Sequence, residues 1–521
     1  MNKKPDGILD RAEQLRPAIN RSVGFTPSER YLSHLADRTF LNLWSYPSPH
    51  REQKLGGTGD GKELCDLLVV CDPHIIIFSE KNIAWTDAAI EVAWPRWAKK
   101  SVFAAAKQLQ GAERWIENLP DRIFLDKDCE HPFPLSFPPS DRRKIHRVIV
   151  ARGAAKACRT FFNGGSGTLV INPDIKGKDH LSATQNRPLL PFTIGDIDPD
   201  GDFVHVFDEV ALEFVLTELD TISDFTEYLD KRADFIRSGR LAIATGEEDL
   251  LGYYSIRLNE AGQHDFTAPE GKSWDDIAAL VIDGGFERLV NNPRYLAKKQ
   301  ADKVSYLWDG LIEAFTGPLL EGTTLVPPGH TFSLQDSEQS VRFMALENRF
   351  SRRALGSALY GALRNGEQHD IFFRMMLGRP INGATETAFF VLTIKFKQNS
   401  YGRGGYEGYR LFRSFYLQTY AQVILMRQPD LRRVVGVAME PPRQGQGMSE
   451  DNVLMLQQDW TAEQQTEVEE DCKKLGIWQA IKETPYHFDE FPLVEPTRDD
   501  RHKGPNRKNR RAVAALRRKE K

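Results

Sequence analysis

Apolar positions along the chain follow two periodicities, and their alternation sets the first expectation of fold. Thr26-Pro-Ser-Glu29 opens a run in which Tyr31, Leu32, Leu35, Phe40, Leu41 and Leu43 recur at mostly helical spacing. A Thr followed three residues later by Glu is a capping-box signature, because each side chain satisfies a backbone N–H that the first turn leaves open. The run stops near Trp44-Ser-Tyr-Pro47, and a polar, Gly-rich stretch follows from Arg51 to Lys62. Two short apolar runs come next, Leu67–Val70 and Ile75–Phe78, separated by Cys71-Asp-Pro-His74. They read as strand, tight turn, strand. Both runs are apolar at consecutive positions, which predicts a sheet covered on both faces and therefore flanked by helices.

One such helix is predicted over Trp94–Asn118, and strands at Ile145–Ala151 and Thr168–Asn172 follow a Pro-rich passage between His131 and Pro139. A linker-like stretch, Lys176–Pro191, leads to a strand at Phe203–Phe207 and helices at Glu209–Leu219 and Ser223–Arg237. The carboxy-terminal half returns to the same logic with a strand at Ala388–Phe396, a helix at Tyr406–Arg427 and a strand at Arg432–Ala438. At roughly 100–200 residues per domain, a chain of this length divides into several units. The expected organisation is an α/β domain over 1–175, a linker and middle α/β extension over 176–258, a second α/β domain over 259–495, and a basic, disordered tail over 496–521. No repeat of fixed period is visible.

Composition narrows the class. With 40% hydrophobic and 27% charged residues the chain is of ordinary globular type, and no stretch reaches the ~18 apolar residues that a spanning helix needs. The opening MNKKPDGILDRAEQL has no apolar core of a signal peptide, and Cys65, Cys71, Cys129, Cys158 and Cys472 form no C-x-x-C pair. A cytoplasmic protein without disulfide framework or zinc knuckle is expected, and no membrane partner. The net charge of −4 hides an asymmetry: Thr497–Lys521 holds eleven Lys/Arg against three Asp/Glu, net +8, which leaves −12 elsewhere. Arg507, Lys508, Arg510 and Arg511 make the tail either a polyanion contact or a solubilising extension.

Candidate chemistry sits at the ends of the two predicted strands. A metal-dependent phosphodiesterase needs carboxylates that hold a divalent cation and a positive group that stabilises charge on the scissile phosphate. Asp66 opens the first strand and Glu80-Lys81 ends the second, so one cleft would receive all three, with Glu63 close by. The segment Gly61–Lys81, preceded by a helix bearing Glu29 and followed by a long helix, resembles the PD-(D/E)XK nucleases, in particular their prokaryotic nuclease-related (NERD-like) branch. The resemblance implies a restriction-endonuclease-like amino-terminal domain, a mixed sheet flanked by helices. It also implies Mg2+ or Mn2+ held by Asp66, Glu80 and Glu63, with Asp66, Glu80, Lys81 and Glu29 as catalytic residues. The implied activity is hydrolysis of nucleic acid, with DNA favoured and RNA left open, in prokaryotic genome maintenance or defence. The second α/β domain would then supply recognition or self-association.

One departure matters. The motif wants an acid two residues before the lysine, on the same strand face, and that position is Ser79. Either a bulge re-aims Glu80, or Glu63 or Glu29 compensates, or catalysis is lost. The last option leads to a different class, a non-catalytic nucleic-acid-binding or scaffold protein on a degenerate nuclease fold. Taken alone, Asp66 and Lys81 are also an ordinary strand-end ion pair.

Basic residues add a second signal. Lys100, Lys107 and Arg114 recur every seven residues, with Gln108 beside them, and would stripe one helix face as a phosphate contact or as a plain solvated face. Ser400–Tyr406, with Tyr409, Arg410 and Arg413 after it, mixes aromatic and basic groups in a way that suits nucleic acid or an ordinary α/β core equally. Gly57–Lys62 lacks phosphate-loop spacing, the Asp196–Asp202 alternation lacks the carboxylate that closes a calcium loop, and Asn163–Gly167 reads as a hairpin turn.

Overall fold

The capped run forms a helix over Pro27–Phe40, with Thr26 as N-cap and the reciprocal Thr26–Glu29 bonds in place. The computed structural model describes residues 17–53, 60–185, 187–324, 333–381, 383–397, 400–401, 404–443, 449–478, 482 and 489–492. The basic tail with Arg507, Lys508, Arg510 and Arg511 lies outside the described residues.

The chain is a mixed α/β protein. Its first sheet runs in the order Ser45–Pro47, Leu67–Cys71, His74–Asn82, Lys144–Arg152, Val204–Asp208. The first three strands are antiparallel neighbours, and the last two run parallel to His74–Asn82. Every residue of Leu67–Cys71 is buried, as consecutive apolar positions require of a strand covered on both faces. On one side Phe40 and Phe225 pack against Phe78. The other side receives the crossover from His74–Asn82 to Lys144–Arg152, a helix over Ile90–Ala98 that continues through a π turn at Lys99–Phe103 into Ala104–Asn118.

A second sheet joins Leu280–Ile282, Leu241–Ala244, Val170–Lys176 and Thr193–Asp196. The Asn163–Gly167 turn leads into it, but from a helix over Ala155–Phe161 and not from a strand. The hairpin expected there is corrected: the glycines supply positive φ at 164, 165 and 167 for a helix-to-strand reversal.

The third sheet has the order Ile371–Leu377, Thr387–Ile394, Arg433–Met439, Glu450–Leu456, with only the central pair parallel. Helix Gly405–Arg427 makes the crossover between those two strands. Alternate residues divide between two cores, as the strand period demands. Phe389 and Val391 join the large core that reaches from the first sheet through Trp308 and Leu355, whereas Ala388, Phe390, Leu392 and Ile394 pack with Tyr409, Leu417 and Ile424. Hairpin, crossover helix, parallel strand is thus an order that the first and third sheets share. The two halves of the chain are also tied by side chains: Trp44 Nε1 donates to Glu338 Oε1 across 2.7 Å, and Arg342 reaches both Asp72 and Glu338. Among the described residues no helix is long and apolar enough to cross a membrane.

Candidate nucleic-acid interface at the end of the first sheet

Antiparallel register decides which side chains meet. Leu67 stands opposite Phe78, so Asp66 falls opposite Ser79, and Lys81 follows on the same face. Lys81 Nζ lies 3.7 Å from Asp66 Oδ2, and Ser79 Oγ donates to Gln108 Oε1 across 3.1 Å from the crossover helix. Asp66, Ser79, Lys81 and Gln108 therefore converge at one end of the sheet. Asp66 is buried, which raises its pKa; Lys81 and the Glu80 backbone N–H, donating to Asp66 Oδ2 at 2.7 Å, pull the other way.

Glu80 does not join them. The strand pairs with Lys144–Arg152 in unbroken register through Asn82, so no bulge turns Glu80, and its side chain points to the opposite face. There it forms an ion pair with Arg152, whose guanidinium also lies over the Tyr31 ring. Burial raises the Glu80 pKa and the contact with Arg152 opposes it. Glu80 as a metal ligand beside Lys81 is thereby corrected, and the period of two is the reason. Nothing in the sequence surroundings of Arg152 marks it as the partner.

Glu29 is also committed elsewhere: its Oε2 accepts from the backbone N–H groups of Phe25 at 2.7 Å and Thr26 at 3.2 Å. Glu63 ends a short strand, Gly61–Glu63, paired with His50–Glu52. Burial pushes its pKa up to about 7, with Asp66 and Glu29 adding repulsion. Among the described residues no group of three or more His, Cys, Asp or Glu side chains is arranged to hold a metal ion. The residues present do not fit Mg2+ or Mn2+: a hydroxyl stands where the second carboxylate belongs, and the Lys81 ammonium lies against the first.

Of the basic stripe, Lys100, Lys107 and Arg114 are exposed. The extra residue in the π turn rotates the segment bearing Lys100 against the one that follows, so Lys100 leaves the line of Lys107 and Arg114. Gln108 turns to the sheet and Ser79.

No family model matches the chain, and no solved structure matches it. Among curated proteins it is similar to Protein HIR2 of Candida albicans (strain SC5314 / ATCC MYA-2876), 23% identical over 211 residues, 38% of this chain and 20% of that protein. The chain thus spans a fifth of that relative's length. The match corrects the functional expectation. The relative is a fungal protein whose name is not that of a nuclease or hydrolase, against a reading of this chain as a metal-dependent nuclease in prokaryotic genome maintenance or defence. The nuclease, hydrolase and defence assignments are withdrawn on that ground.

Proposed function

We propose that this protein is a non-catalytic nucleic-acid-binding protein built on a degenerate PD-(D/E)XK-type fold. The observation that carries the reading is the convergence of Asp66, Ser79, Lys81 and Gln108 on one face, with serine in the acid position and Glu80 paired away. The mixed first sheet, with helices packed on both faces, supports it, a mixed sheet flanked by helices being what the resemblance implies. Exposed Lys107 and Arg114 supply positive charge on the crossover helix, and the basic tail adds more. DNA is the expected partner and the cytoplasm the expected location, in keeping with the scattered, unpaired cysteines.

The test is equilibrium binding of a labelled DNA duplex by the full chain over a range of salt, with Mg2+ or Mn2+ titrated separately by calorimetry. Binding should weaken steeply with salt, and Lys107→Glu with Arg114→Glu should flatten log affinity against log salt by roughly 0.9 for each phosphate no longer neutralised. Wild type should show no tight divalent-ion binding, whereas Ser79→Asp, which places a second carboxylate beside Asp66, should gain it. Absence of any DNA binding, or tight metal binding by the wild type, would sink the proposal.

A further inference from the structure

A short piece of chain near the carboxy terminus lies on the body of the protein as a bound peptide lies in a receptor. Residues 489–492 are neither helix nor strand. Arg353 holds their backbone, Nη1 donating to the Asp489 carbonyl at 3.2 Å and Nη2 to the Glu490 carbonyl at 2.9 Å. The two inward side chains are a carboxylate and a ring. Glu490 Oε1 lies 2.8 Å from His264 Nε2 and 3.4 Å from Lys298 Nζ. Phe491 is buried, its ring nearly perpendicular to that of His264 at 6.3 Å, with the Arg294 guanidinium 5.7 Å from the ring centre. A turn inside the segment presents this pair: Asp489, itself exposed, accepts from the Phe491 backbone N–H at 3.0 Å.

The slot that receives them is cationic. Arg294 and Lys298 share one face of helix Pro293–Asp302, and Arg353 comes from helix Arg349–Gly366. His264 Nδ1 faces the Arg257 carbonyl at 3.2 Å while Nε2 faces Glu490, so both ring nitrogens meet acceptors and the ring holds both protons. Asp302 accepts from Lys298 Nζ at 3.0 Å and from Arg353 Nε at 2.8 Å. Glu218 and Asp224 also act on Lys298 and His264, but Glu218 is bonded to Tyr295 and Lys299 and Asp224 to Thr221. Taking Glu490 away leaves Asp302 to serve both Lys298 and Arg353, which are buried, and leaves His264 without its carboxylate. Buried cations without partners are costly, so the slot selects an occupant that brings an acid. Arg294 beside the ring selects an aromatic next to that acid.

We propose that this slot is a docking site for a short acidic–aromatic peptide, filled in cis by residues 489–492 of the chain itself. The occupant is the segment that sits there, and its Glu490-Phe491 pair meets both demands of the slot. Clusters of basic side chains read acidic motifs in this way. The receptor grips a carboxylate, a ring and two carbonyls through its side chains, so the segment can leave without unravelling a helix or a strand. The inference stands apart from the nucleic-acid reading of the first sheet, and neither depends on the other.

The experiment unseats the segment in the full chain with Glu490→Lys and Phe491→Ala together, which sets a cation against Lys298 and vacates the place of the ring. Fluorescence anisotropy then follows binding of a labelled synthetic peptide of residues 486–495, with thermal melting of each chain to confirm folding. The unseated chain should bind the peptide saturably. Wild type should bind it roughly ten- to a hundredfold more weakly, because only the fraction of molecules with an open slot can take it. Peptides carrying Glu490→Gln or Phe491→Ala should each lose roughly thirtyfold or more on the unseated chain. No binding by the folded unseated chain overturns the docking site, as does equal binding by wild type and the unseated chain, or equal binding of the three peptides. Should the unseated chain fail to fold, Glu490→Gln, which keeps the shape and removes the charge, takes its place and should bind the peptide more tightly than wild type. No gain there overturns the docking site and makes the segment a fixed part of the fold.

Discussion

The first and third sheets follow the same order of elements, yet one is enclosed and the other is open. In the first, the hairpin's outer strand Leu67–Cys71 is itself flanked by Ser45–Pro47 and buried throughout. In the third, the corresponding strand Ile371–Leu377 is the edge, and each of its residues keeps some exposure. A single extra strand makes that difference, because an edge presents unpaired backbone groups and one uncovered flank. Chemistry follows enclosure. Asp66 is buried at the enclosed end, where its neighbours set its charge, whereas Asp370 and Lys397 at the open end are a solvent-exposed pair.

The sharpest test of the contrast is a matched pair of truncations. Phe78 is fully buried against Phe40 and Phe225, so Phe78→Ala should cost about 3–5 kcal/mol in urea unfolding. Phe373, half-buried on the edge strand against Tyr420, should cost clearly less when changed to Ala. Equal costs would show that the third sheet is as well covered as the first.

A second effect distinguishes the opposite ends of the two sheets. His74 Nδ1 and His146 Nε2 meet at 3.1 Å on neighbouring parallel strands. Burial holds His146 down to about 4, with Lys144 adding, and holds His74 well below its ordinary range, with His146 next. Between pH 6.5 and 4 the unfolded chain takes up protons that the folded chain refuses, so stability is fully present above that window and falls as pH drops through it. The loss from His146 alone is on the order of 3 kcal/mol. Urea midpoints should fall from pH 7 to pH 4.5, and His146→Asn should flatten the dependence. In the third sheet the matching ends pair Thr387 with Arg433, neither of which changes charge in that window.

The smallest effect concerns Glu63. Its folded pKa of about 7 lies above the unfolded value, so the folded state favours the protonated acid and stability declines as pH rises from about 4.5 to 7. Glu63→Gln removes that penalty and should raise the melting temperature more at pH 8 than at pH 5. Solvent screening of this half-exposed group keeps the gain below about 1 kcal/mol. A larger gain at pH 5 than at pH 8 would reverse the argument.

Much of the architecture was legible because burial writes itself into runs of apolar residues. Leu67–Val70 and Ile75–Phe78 announced an enclosed hairpin, and Thr26 with Glu29 announced the helix start. The site was legible only in part. Period two already placed Ser79 and Lys81 together and Glu80 apart, but only the unbroken register with Lys144–Arg152 removes the bulge that would have rescued Glu80. Glu29 carried two readings, helix cap and ligand, and one carboxylate oxygen bound to two backbone N–H groups settles which it serves. The π turn left no mark in sequence, so the seven-residue spacing of Lys100, Lys107 and Arg114 suggested a straighter stripe than the helix allows. Of the order shared by the first and third sheets, the strand, helix, strand part was legible, and the edge strand Ile371–Leu377 that completes the second hairpin was not predicted.

The bond from Trp44 to Glu338 has a mechanical consequence. Glu338 is buried, its acidity weakened by burial and sustained by Arg342 and the indole N–H. Pulling the helix Leu334–Ala345 away from the first sheet strips that carboxylate of the Trp44 donor and tears the continuous core in which Val341 and Met344 share packing with the amino-terminal strands. Opening there carries the cost of an unsatisfied buried acceptor in addition to the broken packing. The sheet and that helix should therefore exchange their amide hydrogens together, as one cooperative body.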